Sequence, residues 1–381
     1  MIRHFESLFQ HFPYADIQDR VPTYFVSLPY IGTLGLIPLD VGFWLTTFTL
    51  LCGQAIINIA IAIVVHQFLT PNRPNRWLIG YGLVVPTLLA APIWIFAQWR
   101  PSNITFMLCL CGAIPNIMTL RVLEAMHGTM PDYVTNRRML ILYYSSTLQL
   151  KFENGQPVPL TRDRFWEKLS SFLKVFLQSS LLFSVLLATD YHPFSNQMAN
   201  RYAMASITSL VLDGGASGLG LLTSLVTGYT LENFSESPLT KSTSPSDFWG
   251  QRWDRPVQSA LRRGCYQPLR KHFSSHVAAF GTFVISGFVH EYVLYTMTFR
   301  SQHSYQPQYG NQFVFFIWNG IVLLLERYFP RFKLPRPIQT ALVIMTVLPI
   351  SHLFTDEYIR SSFYNDASWG FPIIVYKGCE S

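Results

Sequence analysis

Long apolar runs alternate with short, basic connections along the whole chain, and this alternation is its strongest signal. A bilayer core needs about 20 mostly apolar residues per helix. Runs of that kind recur near 24–39, 43–68, 77–98, 102–120, 171–189, 203–230, 274–299, 312–328 and 336–355, which predicts nine transmembrane helices, the first of them short. No interval of ~100 residues is left for a separate soluble domain. Residues 1–381 are therefore expected to form one integral, multi-pass membrane domain, all-α in class.

The connections test this reading through their charge. With the N-terminus in the cytosol, alternation of the loops leaves only Arg100, Arg201, Arg300, Arg360 and Lys377 of the 28 Lys+Arg on the far side. Cytosolic flanks are the ones enriched in Lys and Arg, so the topology and the charge agree. Composition agrees too: 50% of residues are hydrophobic and 13% charged, with mean hydropathy +0.24, against about 25% charged in a soluble domain. The net charge of +7 then calls for no nucleic-acid partner, because a basic face toward anionic lipid or a phosphorylated ligand accounts for it. The lipid bilayer is the first partner predicted.

The five cysteines, Cys52, Cys109, Cys111, Cys265 and Cys379, are scattered and odd in number, which argues against a disulfide framework and against a zinc site. The opening "MIRHFESLFQHFPYADIQDR" has no sustained apolar core followed by a small-residue cleavage site, so the membrane helices themselves are expected to direct insertion. The N-x-Ser/Thr matches at Asn103 and Asn233 carry little weight.

Two connections are too long for simple turns. In residues 121–170 and just beyond, "DRFWEKLSSFLKVF" sets Phe165, Leu169 and Phe172 or Leu173 at helical spacing, with Arg164, Glu167 and Lys168 between them. This predicts an amphipathic helix along the membrane surface, or else the wetted start of the next span. The second connection, 231–273, contains "SPSDFWGQRWDRPVQSALRRGCYQPLRKHF". Ser244 as a capping oxygen, Pro245 next and Asp247 three on predict a helix beginning at Ser244. Its continuation places Trp249 and Trp253 on one face until Pro256 removes a backbone donor. Arg252, Arg255, Arg262, Arg263, Arg270 and Lys271 suit either headgroup anchoring or an anionic ligand whose reactive end must reach the membrane interior.

Farther on, "FVISGFVHEYVLY" (283–295) sets His290 and Glu291 inside an apolar run. Ionisable groups are costly in hydrocarbon, so the pair is a functional-site hypothesis to be weighed against packing. On a span from residue 274, His290 lies ~24 Å along the helix. A buried imidazole stays neutral and can accept a proton. Glu291 faces about 100° away, which points to a structural or tunnel-polarising role. Leu294 stands where a zinc-binding HExxH motif would need its second histidine.

"SDFWGQRWDRPVQ" followed by "ISGFVHEYVLY" in an apolar helix resembles the wax-synthase-type branch of the membrane-bound O-acyltransferases. Fungal members that acetylate terpenoid and other secondary-metabolite hydroxyls are similar in length and layout. Phe248, Trp249, Gly250, Arg252 and Trp253 fall on the first motif, and Ser286, Gly287, His290 and Glu291 on the second. The motifs cover residues 247–295, within a motif region of about 240–300. The resemblance implies helices around a catalytic tunnel, acyl-CoA entering from the cytosol as co-substrate with no bound cofactor, a hydrophobic alcohol as acceptor, and His290 as intramembrane base. It implies acyl-CoA contacts for Arg252, Arg255, Arg262, Arg263, Trp249 and Gln251, and an oxyanion donor from Trp253 or Gln251. After the second Trp this chain has Asp254, where wax synthases more often show His and other branches a catalytic Asn; Asp254 is a candidate for the chemistry. Phe248, Gly250, Ser286, Gly287 and Glu291 are assigned to the tunnel wall or its support.

Of the remaining features, Gly214 and Gly218 in "LDGGASGLG" predict close helix packing, with Asp213 beside them as an intramembrane partner or tunnel-lining group. Arg121 and Glu124 are spaced for a boundary ion pair. The resulting expectation is an endoplasmic-reticulum O-acyltransferase moving acetyl from CoA to a hydroxyl of a hydrophobic metabolite. Its rivals are a long-chain wax-ester synthase, a proton-coupled transporter using His290, Glu291 and Asp213, and a non-catalytic protein retaining the fold.

Overall fold

The computed structural model describes residues 24–28, 32–98, 114–134, 136–146, 148–299, 306–328 and 334–376. Helices dominate. Among the described residues five are long and apolar enough to cross a bilayer: α1 (Val41–Leu69), α2 (Arg76–Ile95), α5 (Arg162–Ala188), α6 (Gln197–Thr227) and α8 (Ser275–Thr298). Between them lie α3 (Ile114–His127), α4 (Arg137–Ser145) and α7 (Arg255–Leu261), and after them α9 (Asn311–Glu326). A last pair, α10 (Arg336–Ile350) and α11 (His352–Arg360), bends by 54° and makes a sixth span if counted as one. The chain is a multi-pass membrane protein whose helices leave apolar stripes uncovered. On α5, for example, Leu173, Leu177, Leu181 and Val185 are exposed at four-residue spacing while Phe183, Leu186 and Leu187 are buried on another face. Such stripes are unfavourable against water and suit acyl chains.

Several of the nine expected helices differ in detail. The described residues of 24–39 do not form a span: β1 (Tyr24–Leu28) and β2 (Gly32–Ile37) pair antiparallel, and β2 pairs with β3 (Ile373–Tyr376), in register Leu34 to Tyr376 and Ile37 to Ile373. Pro29, Gly32, Gly35 and Pro38 explain why the apolar run is not helical, since Gly and Pro are the poorest helix formers and the C-terminal strand offers ladder bonds instead. The expected span 102–120 falls largely outside the described residues, and its described part begins α3. The 312–328 run is the 16-residue α9, and the 336–355 run is the bent pair. The amphipathic "DRFWEKLSSFLKVF" is no separate surface helix but the first turns of α5, a 27-residue helix capped by Thr161. At 1.5 Å per residue α5 is ~40 Å long, so it outruns a core of about 30 Å and its first turns stand in the wet interface.

The small residues of α6 bring it against α5. A methyl group added at Gly218 would sit 3.0 Å from the Phe172 ring, and one at Gly214 3.6 Å from Val175. The same close approach holds the motif region to the bundle. Here α7 runs into a π turn at Arg262–Tyr266, and Gly264 lies against the backbone of α3. Glu124 on α3 has no exposed surface; its Oε2 accepts from Arg263 Nε at 3.3 Å and from the Tyr143 hydroxyl at 2.5 Å, and Arg263 Nη2 also donates to that hydroxyl. Arg121, buried beside it, donates to the carbonyls of Tyr143 and Ser146 at the end of α4. Arg121 and Glu124 are thus core residues rather than residues of a wetted boundary.

A methyl at position 264 would lie 2.6 Å from the Leu120 carbonyl oxygen, which is backbone and has no room to retreat. Gly264→Ala is expected to destabilise the protein by ~1–3 kcal/mol. A thermal melt in detergent reads this as a lowered Tm, and an unchanged Tm would show that the contact is slack.

Candidate functional site

The motif stretch folds as its sequence suggests at its start and departs from it further on. Ser244 caps the first turn, its hydroxyl accepting from Asp247 N at 3.1 Å, with Pro245 first in the helix. Asp247 accepts in turn from Thr243 N at 2.9 Å and from Arg252 Nε at 2.8 Å. Burial alone would raise this carboxyl, but the Arg252 and Thr243 donors outweigh it and hold Asp247 below the ordinary carboxylate range. The chain then forms a π turn, Phe248–Arg252, and leaves the helix at Trp253, whose backbone is extended. Asp254 follows in the left-handed region, φ 41°, and caps α7 by accepting from Val257 N at 3.2 Å. Left-handed backbone and an N-cap both favour Asp or Asn, which gives Asp254 a local reason to be there apart from chemistry.

These turns roof a cavity of about 480 Å³. Phe248, Trp249, Gly250, Trp253, Asp254 and Arg262 line it from the motif side, and α8 contributes Ala279, Thr282, Phe283, Ser286 and His290. Those five α8 positions recur at helical spacing, so one stripe of the helix faces the cavity for ~16 Å of its length. Phe315 and Phe316 from α9 and Val347, Leu348 and Phe354 from the bent pair close the remaining wall, which is strongly apolar. The result is a slot with polar groups near the motif loop and an aromatic interior, of the size that holds small organic ligands.

His290 opens onto this slot and is held on two sides. Its ring stacks on Phe316 at 4.1 Å between centroids and meets the Phe354 edge at 5.6 Å. Nδ1 lies 2.8 Å from the Ser286 carbonyl oxygen one turn back. A carbonyl only accepts, so Nδ1 carries the proton and a neutral ring keeps its lone pair on Nε2. That is the tautomer a general base requires.

Asp254 lies outside the spans and its carboxyl is raised to about 7. Burial is the main cause, the Asp213 carboxylate adds to it, and the Val257 N–H partly offsets both. The structure thus brings Asp254, His290, Trp253 and Trp249 to one cavity. Trp249 is fixed by its indole N–H, which donates to Asn319 Oδ1 at 3.2 Å, while Trp253 stacks on Phe248.

Other candidates lie elsewhere. Among the four arginines expected at the ligand, only Arg262 lines the cavity. Arg252 is paired with Asp247, Arg255 with Glu232 and Glu236, and Arg263 with Glu124. Their charge is spent on loop architecture. Gln251 is exposed and outside the lining. Glu291 and Gly287 turn to α9: Glu291 Oε1 accepts from Phe313 N at 2.9 Å, capping that helix from outside, and Gly287 has no room for a side chain against Phe313. Asp213 accepts from Ser235 Oγ at 2.7 Å, tying α6 to the motif segment rather than lining the cavity. Sequence reasoning missed Asn319, Gln258, Tyr266 and Ser246. The first anchors Trp249 and the others line the slot; Ser246 and Gln258 stand at the two ends of the quoted motif stretch and were passed over for its aromatic and charged residues, while Ala279 and Thr282 could have been found by extending the His290 stripe backwards.

Comparison with known proteins gives this geometry a context. Residues 232–318 match the membrane bound O-acyl transferase family, a stretch holding the motif loop, α8 and the start of α9. The chain is 31% identical over 139 residues to Acyl-CoA–sterol O-acyltransferase 1 of Arabidopsis thaliana, covering 33% of this chain and 39% of that protein. It is 27% identical over 283 residues to Probable long-chain-alcohol O-fatty-acyltransferase 6 of the same plant, covering 72% of this chain and 76% of the relative. With Probable long-chain-alcohol O-fatty-acyltransferase 9 it shares 32% identity over 162 residues, 45% of that relative. The match to the sterol acyltransferase thus spans about two fifths of its length. Together the matches liken this chain to membrane-bound O-acyltransferases, long-chain-alcohol and sterol acyltransferases by name among them.

A carboxyl that titrates near 7 when folded and near 3.9 when unfolded binds more protons in the folded state between those values, so stability falls as pH rises from about 4 to about 7. Asp254→Asn keeps a capping oxygen and removes the titration. Thermal melts across that window are expected to fall with pH in the wild type and to flatten in the variant, and parallel curves would refute the shifted carboxyl.

Proposed function

We propose that the protein is an acyl-CoA-dependent O-acyltransferase that esterifies the hydroxyl of a hydrophobic acceptor, with His290 as general base. The observation that carries this reading is His290 itself: its protonated Nδ1 is committed to the Ser286 carbonyl, and its ring lines the apolar slot beneath the motif loop. The acceptor hydroxyl gives its proton to Nε2 as its oxygen bonds to the thioester carbonyl carbon. The carbon–sulfur bond then breaks, the proton passes to the departing thiolate, and ester and free CoA leave with no net proton change. An aromatic wall keeps water scarce, which favours the alcohol over hydrolysis. Trp253 and Arg262 both line the slot, which supports reading the first as a donor to the thioester oxygen and the second as a contact for CoA's anionic portion. The chain is read as acting as a single domain, with the endoplasmic reticulum as its membrane.

Two donors are compatible with this chemistry. Likeness to fungal terpenoid acetyltransferases favours acetyl-CoA. The names of the Arabidopsis relatives favour a fatty acyl-CoA with a long-chain alcohol or sterol.

Microsomes carrying wild type or His290→Ala are expected to differ by ~100-fold or more in label transferred from radiolabelled acetyl-CoA or palmitoyl-CoA to terpenoid, sterol and fatty alcohols. Whichever donor the wild type prefers fixes the acyl class. Equal transfer by an equally expressed His290→Ala protein would overturn the role of His290.

A further inference from the structure

A second cavity, of about 260 Å³, lies away from the slot and shares no residue with it. It forms where the last turns of α1 pack against α4. The π turn Val65–Leu69 widens the end of α1 and brings His66 and Gln67 to its edge; Arg73 enters from the α1–α2 connection and Arg137 from the first turn of α4. Ile63 and Ile141 belong to its apolar floor.

Its charge is what sets it apart. Some exposed cations elsewhere have carboxylate partners, Lys151 and Arg164 in Glu153 and Arg255 in Glu232 and Glu236. No carboxylate lines this cavity, and among the described residues no ion pair joins Arg73, Arg137 or His66 to one. Two guanidiniums therefore share a concavity with nothing to neutralise them, at the positive end of α4, which adds to the same potential. Guanidinium forks match phosphate oxygens in pairs, and a carboxylate-free pocket is the environment in which such contacts are strongest.

Position argues for the source of the phosphate. Phe68, next to His66 and Gln67, is 45% exposed, and Ile56 and Ile57 higher on α1 are more exposed still, so the cavity opens beside a lipid-facing helix. The α1–α2 connection, the end of α3 and the motif segment share one face: Trp77 packs on the His127 ring at 4.9 Å, and Lys271 Nζ donates to the His127 carbonyl at 2.8 Å. This is the basic face, where anionic headgroups gather. An apolar floor beneath paired arginines fits the junction between a headgroup and its glycerol.

We propose that Arg73 and Arg137, with His66 and Gln67, form a phosphate-ester site that takes the headgroup of an anionic phospholipid.

The test uses the full chain in an uncharged detergent. Dioctanoyl phosphatidate, dioctanoyl phosphatidylcholine and adenosine 3′,5′-bisphosphate are titrated separately, with the rise in Tm as the readout. Phosphatidate is expected to stabilise the wild type and Arg138→Gln, an exposed neighbour outside the lining, while phosphatidylcholine does not. Arg73→Gln and Arg137→Gln are each expected to bind ~10-fold more weakly. Both side chains are exposed, so their unliganded melts should match the wild type; Arg137→Lys, which keeps charge and loses the fork, is expected to fall between. Stabilisation by the bisphosphate with the same dependence on Arg73 and Arg137, and none by phosphatidate, would keep the phosphate site and overturn the lipid source. No stabilisation by either probe, or stabilisation equal in all variants, would overturn the site.

Discussion

Glu124 is a carboxylate with no exposed surface, and the placement of the motif loop depends on how its charge is met. Its ion-pair partner, Arg263, lies 139 residues farther along the chain, on the π turn that ends α7. Burying either charge alone costs several kcal/mol, whereas the pair, completed by the Tyr143 hydroxyl, offsets much of that cost in one geometry. The motif segment is therefore fixed against α3 from one side, while Gly264 lets the backbones meet and Asp213 holds Ser235 from another. Asp254, Trp253 and Arg262 can roof a cavity only because their segment is clamped in this way.

The polar groups divide into two kinds of work. Glu291, Asn319, Asp213, Arg252 and Arg255 each meet a specific partner on another element or along the loop, so their charges and amides hold helices and turns in register. His290, Asp254 and Arg262 face the slot. Glu291 shows how sharp the division is. It follows His290 directly, yet a turn of about 100° sends it to the first turn of α9 while the imidazole faces the cavity. A cavity-lining residue and one that braces its helix against α9 are thus adjacent, with separate tasks.

Much of the fold was legible because lipid imposes a simple rule. A span must be long, apolar and internally hydrogen-bonded, so α1, α2, α5, α6 and α8 stand out as apolar runs of sufficient length. The rule misreads Tyr24–Ile37, whose apolar content is equally high. Its backbone bonds go to a neighbouring strand and to Ile373–Tyr376, a partner more than 300 residues away that no local pattern announces. The site was legible where a residue is out of place by composition, as His290 is in an apolar helix. It was not legible where basic residues cluster, because Arg252, Arg255, Arg262 and Arg263 look equivalent until their carboxylate partners are known.

By itself, then, the sequence determined that this chain lives in a membrane and that a histidine sits where hydrocarbon would exclude it. Periodicity, length and charge are local properties, and lipid filters them one segment at a time. The tertiary structure decided which ring nitrogen of His290 keeps its lone pair, that Asp254 shares a cavity with it, and which cations remain unspent, because each depends on a partner brought from another element.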